Sequence, residues 1–287
     1  VSLDGKHIHN RVLSVQSTLS KAERKIADYI LNEPQAAITM TASQLAKASD
    51  TSPASVIRFC RSIGISSFTE LKVKLSAELD APSVSSYSDI TPNESPDTIK
   101  NKLLNNAIHT LTETVQLMDE SVNATVDALY QTDMLFVYGI GASGIVAENI
   151  AQKFNRVGKT AMAFQDHHLL LTTMSSLGKN GLLMVVSNSG ETSEILHIVK
   201  IAKQIGCQTV GVTQFGKSPL NQLVDWSLHT YNANEGNFRS AATSSLLNQF
   251  MVIDILFYNY VTKYYQEFEE KIVNSREMIQ LFEDLIK

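Results

Sequence analysis

The sequence predicts an all-α N-terminal domain followed by an α/β domain built on a doubly wound parallel sheet of five strands. Three observations carry this. Helix-start signals crowd the early part of the chain, a proline- and serine-rich segment interrupts it at Asp80–Asp97, and short β-rich runs then alternate with helical stretches. At 287 residues, with 44% apolar and 18% charged side chains, the chain holds enough material for two cores.

The first helices announce themselves. Ser20-Lys21-Ala22-Glu23, Thr41-Ala42-Ser43-Gln44 and Ser67-Phe68-Thr69-Glu70 each fit the capping box, in which a hydroxyl and a side chain three residues later satisfy the orphan N–H groups of a helix start. Helices are therefore expected to begin near 21, 42 and 68. A fourth begins at Ser52-Pro53, a cap residue followed by proline in the first helical position, and ends at Gly64.

Thr41 to Ile63 has the anatomy of a helix-turn-helix: Ala42–Ala48, the turn Ser49-Asp50-Thr51, then Pro53–Ile63. Leu45 and Ala46 on the first helix, and Val56, Phe59, Cys60 and Ile63 on the second, are expected to face inward. Ser52, Ala54, Ser55, Arg58, Arg61 and Ser62 are left for the outer side. Small polar residues at a helix start permit close approach, and arginines can then reach base edges or phosphates. Candidate DNA contacts are Ser43, Gln44, Ser52, Ala54, Ser55, Arg58 and Arg61. A plain helical hairpin with solvated arginines fits the same pattern.

The run LAKASDTSPASVIRFCRSIGISSFTELK resembles the N-terminal domain of RpiR-type transcription regulators. The matching residues are Leu45, Ala46, Ser52, Ala54, Val56, Arg58, Phe59, Gly64, Phe68, Glu70, Leu71 and Lys72, with Ser55 keeping the hydroxyl of the usual threonine. ERKIADYIL (Glu23–Leu31) is similar to the same family. The resemblance implies operator DNA as a partner.

The segment DAPSVSSYSDITPNESPD holds three of the six prolines and five serines, so it reads as a linker. The expected division is a DNA-binding domain at 1–80, a linker at 81–97 and a second domain at 98–287. In the latter, strands are expected at Met134–Tyr138, Thr160–Phe164, Leu182–Ser187, Thr209–Val212 and Trp226–Thr230, with crossover helices between them. Leu182–Val186 is apolar on both faces, as a central parallel strand should be. From Ala241 onward the chain returns to helix, and its stripe Leu246, Phe250, Ile253 and Phe257 offers either an interface or packing on the chain's own sheet.

Two loops follow predicted strands and open predicted helices: Gly139-Ile140-Gly141-Ala142-Ser143-Gly144 and Ser187-Asn188-Ser189-Gly190-Glu191-Thr192. Glycine lets the backbone approach a ligand, hydroxyls add donors, and the helix N-terminus behind each loop favours an anion. The first loop also reads G-x-G-x-x-G, with Asp166 placed where a ribose-binding acid could lie, so a nicotinamide site competes at this point. Neither loop is a Walker A motif.

Residues about 130–260 resemble a SIS (sugar isomerase) domain, on YGIGASG and VSNSGET set about fifty residues apart. The resemblance implies a flavodoxin-like strand order and a phosphorylated sugar held by Ser143, Ser187, Ser189 and Thr192, with Gly141, Asn188 and Gly190 supplying backbone and Glu235 a further contact. Arg239-Ser240 also matches. Leu246 stands where the family often has arginine, which leaves the far wall of the pocket undefined.

Charge is uneven. Residues 1–80 carry ten Lys or Arg against eight Asp or Glu, and the remainder fourteen against twenty-one, for a net charge of -5. Only the N-terminal part tolerates a polyanion, through a local and shape-specific contact. Cys60 and Cys207 are far apart and expected to be reduced thiols. No apolar signal region or membrane span is read, so a soluble cytoplasmic chain is expected. An isomerase would need a positioned base. Glu148, His167, His168, Glu191, His197 and Glu235 are available, and His167 and His168 are expected to point to different sides. No metal site or cofactor is expected. The combination reads as a sugar-phosphate-controlled regulator, a repressor of carbohydrate-metabolism genes, acting as a homodimer or homotetramer. The alternatives are a sugar-phosphate isomerase with a helical extension and a nicotinamide enzyme.

Overall fold

A computed structural model of the chain describes Ile8, Arg11, Val12, Val15 and residues 18–79, 90–232 and 243–286. Glu235, Arg239 and Ser240 lie outside the described residues, as do residues 81–89 of the expected linker. The chain divides into two compact units. One runs to Gln116 and takes in Phe215–Lys217; the other holds Leu117–Gln214, Ser218–Thr230 and the helices beyond.

The first unit is helical: α1 (Lys21–Asn32), α2 (Pro34–Thr39), α3 (Ala42–Ala48), α4 (Pro53–Ser62), α5 (Phe68–Leu79) and α6 (Pro96–Gln116). Two capping boxes form as the sequence predicts, Ser20 with Glu23 and Thr41 with Gln44. The third is displaced. Ser67 Oγ accepts from Glu70 N–H at 3.1 Å, but the Glu70 carboxylate reaches back to Ser66 N–H at 3.0 Å instead of to Ser67. Helix α2, unforeseen from the sequence, starts with Pro34 in its first turn behind Glu33, which makes no side-chain cap. The core gathers Ile26, Ile30, Leu45, Val56, Phe59, Cys60, Ile63 and Leu71, all essentially buried. Each such side chain removed from water contributes about 1.5–3 kcal/mol.

The second unit alternates α7 (Ser121–Gln131), β1 (Met134–Gly139), α8 (Ala142–Arg156), β2 (Ala161–Phe164), α9 (His167–Leu177), β3 (Gly181–Val186), α10 (Ser193–Gln204), β4 (Gln208–Gln214), α11 (Pro219–Leu223) and β5 (Trp226–Thr230). Two long helices follow, α12 (Ser244–Lys263) and α13 (Tyr265–Ile286). All strand pairs are parallel, in the order β2-β1-β3-β4-β5. This is the doubly wound, flavodoxin-like order expected. Every residue of β3 is buried, because helices cover both faces of the sheet. One cluster sets Leu135, Val137 and Met184 against α8 and α12, and another sets Phe136, Tyr138 and Val185 against α9 and α10.

The stripe read on the last part of the chain is mostly internal. Ile253 is fully buried, and Leu246, Phe250 and Phe257 pack on the same cluster as the sheet. Both cysteines are free and buried, and burial pushes each thiol up to about 11. Among the described residues, no helix is long and apolar enough to cross a membrane.

Candidate functional site

Two places concentrate chemistry. The first is the outer face of α4. Its inward set is as expected: Val56, Phe59 and Cys60 are fully buried, with Leu45 and Ala46 of α3 facing them. The turn is held by Thr51 N–H donating to Ala46 O at 2.8 Å and by Ser49 Oγ donating to Leu45 O at 2.8 Å. Ser52 caps the helix, its Oγ accepting from Ser55 N–H at 3.2 Å. Ala54, Ile57, Arg58 and Arg61 are exposed at i, i+3, i+4 and i+7, so one continuous stripe faces out.

Two expectations on this helix are corrected. Ser55 is 4% exposed and lies under the helix instead of on its outer side, because its hydroxyl bonds within the helix start. Ser62 Oγ donates to Glu23 Oε1 at 2.5 Å and so faces α1. Ser43 and Gln44 are exposed on α3, with Gln44 Oε1 occupied by Thr41 N–H at 2.8 Å. Ile57, at 37% exposure, went unnoticed in the sequence, although the buried stripe leaves only that side for it.

The second place is a cleft of about 290 Å³ at the C-terminal ends of β1 and β3, close to the lower limit of ligand pockets. Here the connections leave neighbouring strands toward opposite faces of the sheet, which is where open α/β sheets bind ligands. Ser143, Ser187, Asn188, Ser189 and Thr192 line it together, with Ser245 and Gln249 of α12 opposite. Gly141 and Gly190 shape its loops at φ +61° and +67°. A Cβ on Gly190 would meet Ser218 Oγ at 2.4 Å, so only glycine fits that turn.

The local geometry suits an anion. Side chains cap the starts of α1, α3, α4, α9 and α11. Among the described residues no side chain caps α8 or α10, the two helices that open on the cleft, nor α2, α7 or α12. Gly144 N–H of α8 donates to Gly141 O at 3.0 Å, and no side chain takes up the other first N–H groups of α8 and α10. Ser187 and Thr192 hydroxyls lie 3.3 Å apart. Ser189 Oγ accepts from Glu191 N–H at 3.2 Å, which leaves its own proton to donate. The loop is braced from outside: Asn188 O accepts from Gln214 N–H at 3.0 Å, and Gly190 O from Leu220 N–H at 3.1 Å.

The far wall is Ser245 and Gln249, both buried, while Leu246 turns to the core. The signal was in the sequence: the first turns of this helix set two polar pairs four apart, Ser244 with Asn248 and Ser245 with Gln249, and each pair shares a face. Two of the acid–base candidates, Glu148 and His167, have side-chain partners within the fold. Glu148 accepts from Gln165 at 2.6 Å. Glu194 accepts from the Tyr138 hydroxyl and lies 3.4 Å from His167 Nδ1. Burial and the Glu194 carboxylate together raise the Tyr138 phenol above its ordinary value. His167 and His168 do not point apart as expected; their rings lie 4.3 Å from one another. Asp166 caps α9, accepting from Leu169 N–H at 2.8 Å, and is thus committed to the fold.

Comparison with known proteins matches both domains to known families. Residues 6–82 match the helix-turn-helix domain of the rpiR family, and residues 128–258 match the SIS domain. The chain is 37% identical over 270 residues to the helix-turn-helix-type transcriptional regulator YbbH of Bacillus subtilis, covering 94% of this chain and 95% of that protein. It is 33% identical over 271 residues to a regulator of the same type from Caldanaerobacter subterraneus, covering 94% and 96%. Among solved structures it is similar to the Vibrio vulnificus NanR protein complexed with ManNAc-6P, at 26% identity and a TM-score of 0.59, covering 94% of this chain and 98% of that one. With an exposed helix-turn-helix stripe and a hydroxyl-lined SIS cleft on one polypeptide, the chain belongs to the rpiR family of helix-turn-helix transcriptional regulators.

Proposed function

We propose that this regulator represses genes of carbohydrate metabolism in the cytoplasm and is controlled by a phosphorylated sugar bound in the cleft between β1 and β3, without turning that sugar over. The observation that carries the reading is the cleft itself. Two uncapped helix N-termini and the hydroxyls of Ser143, Ser187, Ser189 and Thr192 converge there. A phosphate suits such donors without a metal. The NanR structure, complexed with ManNAc-6P, supports an N-acetylated amino-sugar phosphate as the first effector to try.

DNA is read by α4 inserted in the major groove, with Ala54 and Ser52 near its start, Arg58 and Arg61 further along, and Ser43 and Gln44 of α3 beside the backbone. One ten-residue helix touches too few base pairs to single out a site, so a homodimer or homotetramer binds two half-sites. The test joins the two sites. Operator affinity is measured by fluorescence anisotropy with and without ManNAc-6P, fructose 6-phosphate and inorganic phosphate, and each sugar phosphate is recovered to check for conversion. One sugar phosphate is expected to shift operator affinity and to be recovered unchanged. Conversion to an isomer without any effect on DNA would overturn the reading.

A further inference from the structure

We propose that Ser55 is a positioning residue for DNA reading: its buried hydroxyl holds the Arg58 guanidinium in the orientation from which it meets a guanine edge. The inference rests on α4 being the reading helix. At 4% exposure Ser55 cannot reach a base itself. Its Oγ accepts a hydrogen bond from Arg58 Nη2 at 3.0 Å and lies 3.0 Å from Ser52 Oγ. Its own N–H is fixed on that same Ser52 hydroxyl. The cap of the helix, the buried serine and the arginine thus form one connected row, three residues apart at each step.

The chemistry is compatible with base reading. Guanidinium carries five N–H donors, and a bidentate contact with guanine O6 and N7 uses two of them. Another remains for Ser55, so the bond need not break on docking. An exposed arginine loses rotamer freedom when it binds, and here part of that loss is already taken on folding. The Arg61 side chain, on the same stripe, makes no hydrogen bond among the described residues, which suits a phosphate contact instead. The helix therefore carries one preset arginine and one that is not preset.

The test uses the full chain and a duplex selected for binding from a randomised pool, together with duplexes in which each guanine pair is replaced in turn. Affinities are measured for the wild type, Ser55→Ala, Ser55→Thr, Arg58→Ala and the Ser55→Ala/Arg58→Ala double variant. Ser55→Ala is expected to lose roughly three- to tenfold on the selected duplex, and to lose discrimination at the base pair where Arg58→Ala loses it. Ser55→Thr keeps the hydroxyl and should recover affinity to within about twofold, and the double variant should bind no worse than Arg58→Ala. Ser49→Ala removes another buried hydroxyl of the motif, away from Arg58. It should lower the melting temperature without changing base preference. Losses that multiply in the double variant, or a Ser55→Ala loss equal on all duplexes, would overturn the positioning role while leaving α4 as the reader. Undiminished affinity of Arg58→Ala on every duplex would overturn both.

Discussion

Glu23 ties the first helix to α4, and removing its charge should cost the first unit a measurable part of its stability. The side chain is 2% exposed. It accepts from Ser20 N–H at 3.0 Å, Ser20 Oγ at 2.5 Å and, across to α4, Ser62 Oγ at 2.5 Å. Burial alone would raise its pKa, but the hydrogen bonds outweigh burial and hold it at about 2 against an ordinary 4.5. That depression corresponds to about 3 kcal/mol, and to roughly half as much after allowance for solvent screening. The folded pKa is lowered, so the contribution is complete above pH 4.5 and is lost as pH falls toward 2, where the unfolded chain binds the proton first. Glu23→Gln should therefore destabilise by about 1.5–3 kcal/mol at pH 7 and by progressively less below pH 4.5. Trp226, the one tryptophan, belongs to the second unit. Hydrogen exchange in urea, followed on peptides spanning residues 21–62, is the suitable assay. A Glu23→Gln protein within about 0.5 kcal/mol of wild type at pH 7 would refute the reasoning.

Other outcomes are equally concrete. Arg58→Ala should cost about 1–3 kcal/mol on the operator and relax one base position, whereas Arg61→Ala should weaken all duplexes alike and reduce the salt slope by about one, both read by anisotropy. Ser189→Asp sets a carboxylate among the cleft hydroxyls, so the protein should fold and bind DNA but no longer respond to sugar phosphate; a normal response would remove this loop from the site. Lys159 is buried, donates to Thr132 O and is lowered by burial to about 8 against an ordinary 10.5. Its charge opposes folding below pH 8, so wild-type stability should rise relative to Lys159→Met between pH 8 and 10.5, and parallel urea curves in that window would contradict this.

The sequence spoke most clearly where one residue type has one physical use. Paired hydroxyl and carboxylate or amide residues marked helix starts within a residue, and the unbroken apolar run Leu182–Val186 marked the central strand. The two cleft loops were legible for the same reason, since glycines and hydroxyls at strand ends have few other uses. Reach and rotation were not legible. Ser55 is small and polar, which fits either a DNA face or a buried cap, and only the helix phase set by Val56 and Phe59 decides between them. Glu70 could bond Ser66 or Ser67, and the backbone path chose Ser66. The cleft wall on α12 escaped because Leu246 drew attention one residue away from Ser245, and one step along a helix turns a side chain by about 100°.

On the proposed function, the bare starts of α8 and α10 set heat resistance against responsiveness. A side-chain cap contributes typically about 1 kcal/mol, and these two helices go without one. Any selection for thermal tolerance alone would be drawn to such positions, for instance by placing Asp at Thr192, where a carboxylate would settle on the waiting N–H groups. Under the proposed function, the hardened protein would carry a permanent anion in place of the effector's phosphate, and its DNA binding would no longer respond. Under that proposal the missing caps are a condition of responding to the effector, and improved variants are better sought at sites remote from the cleft.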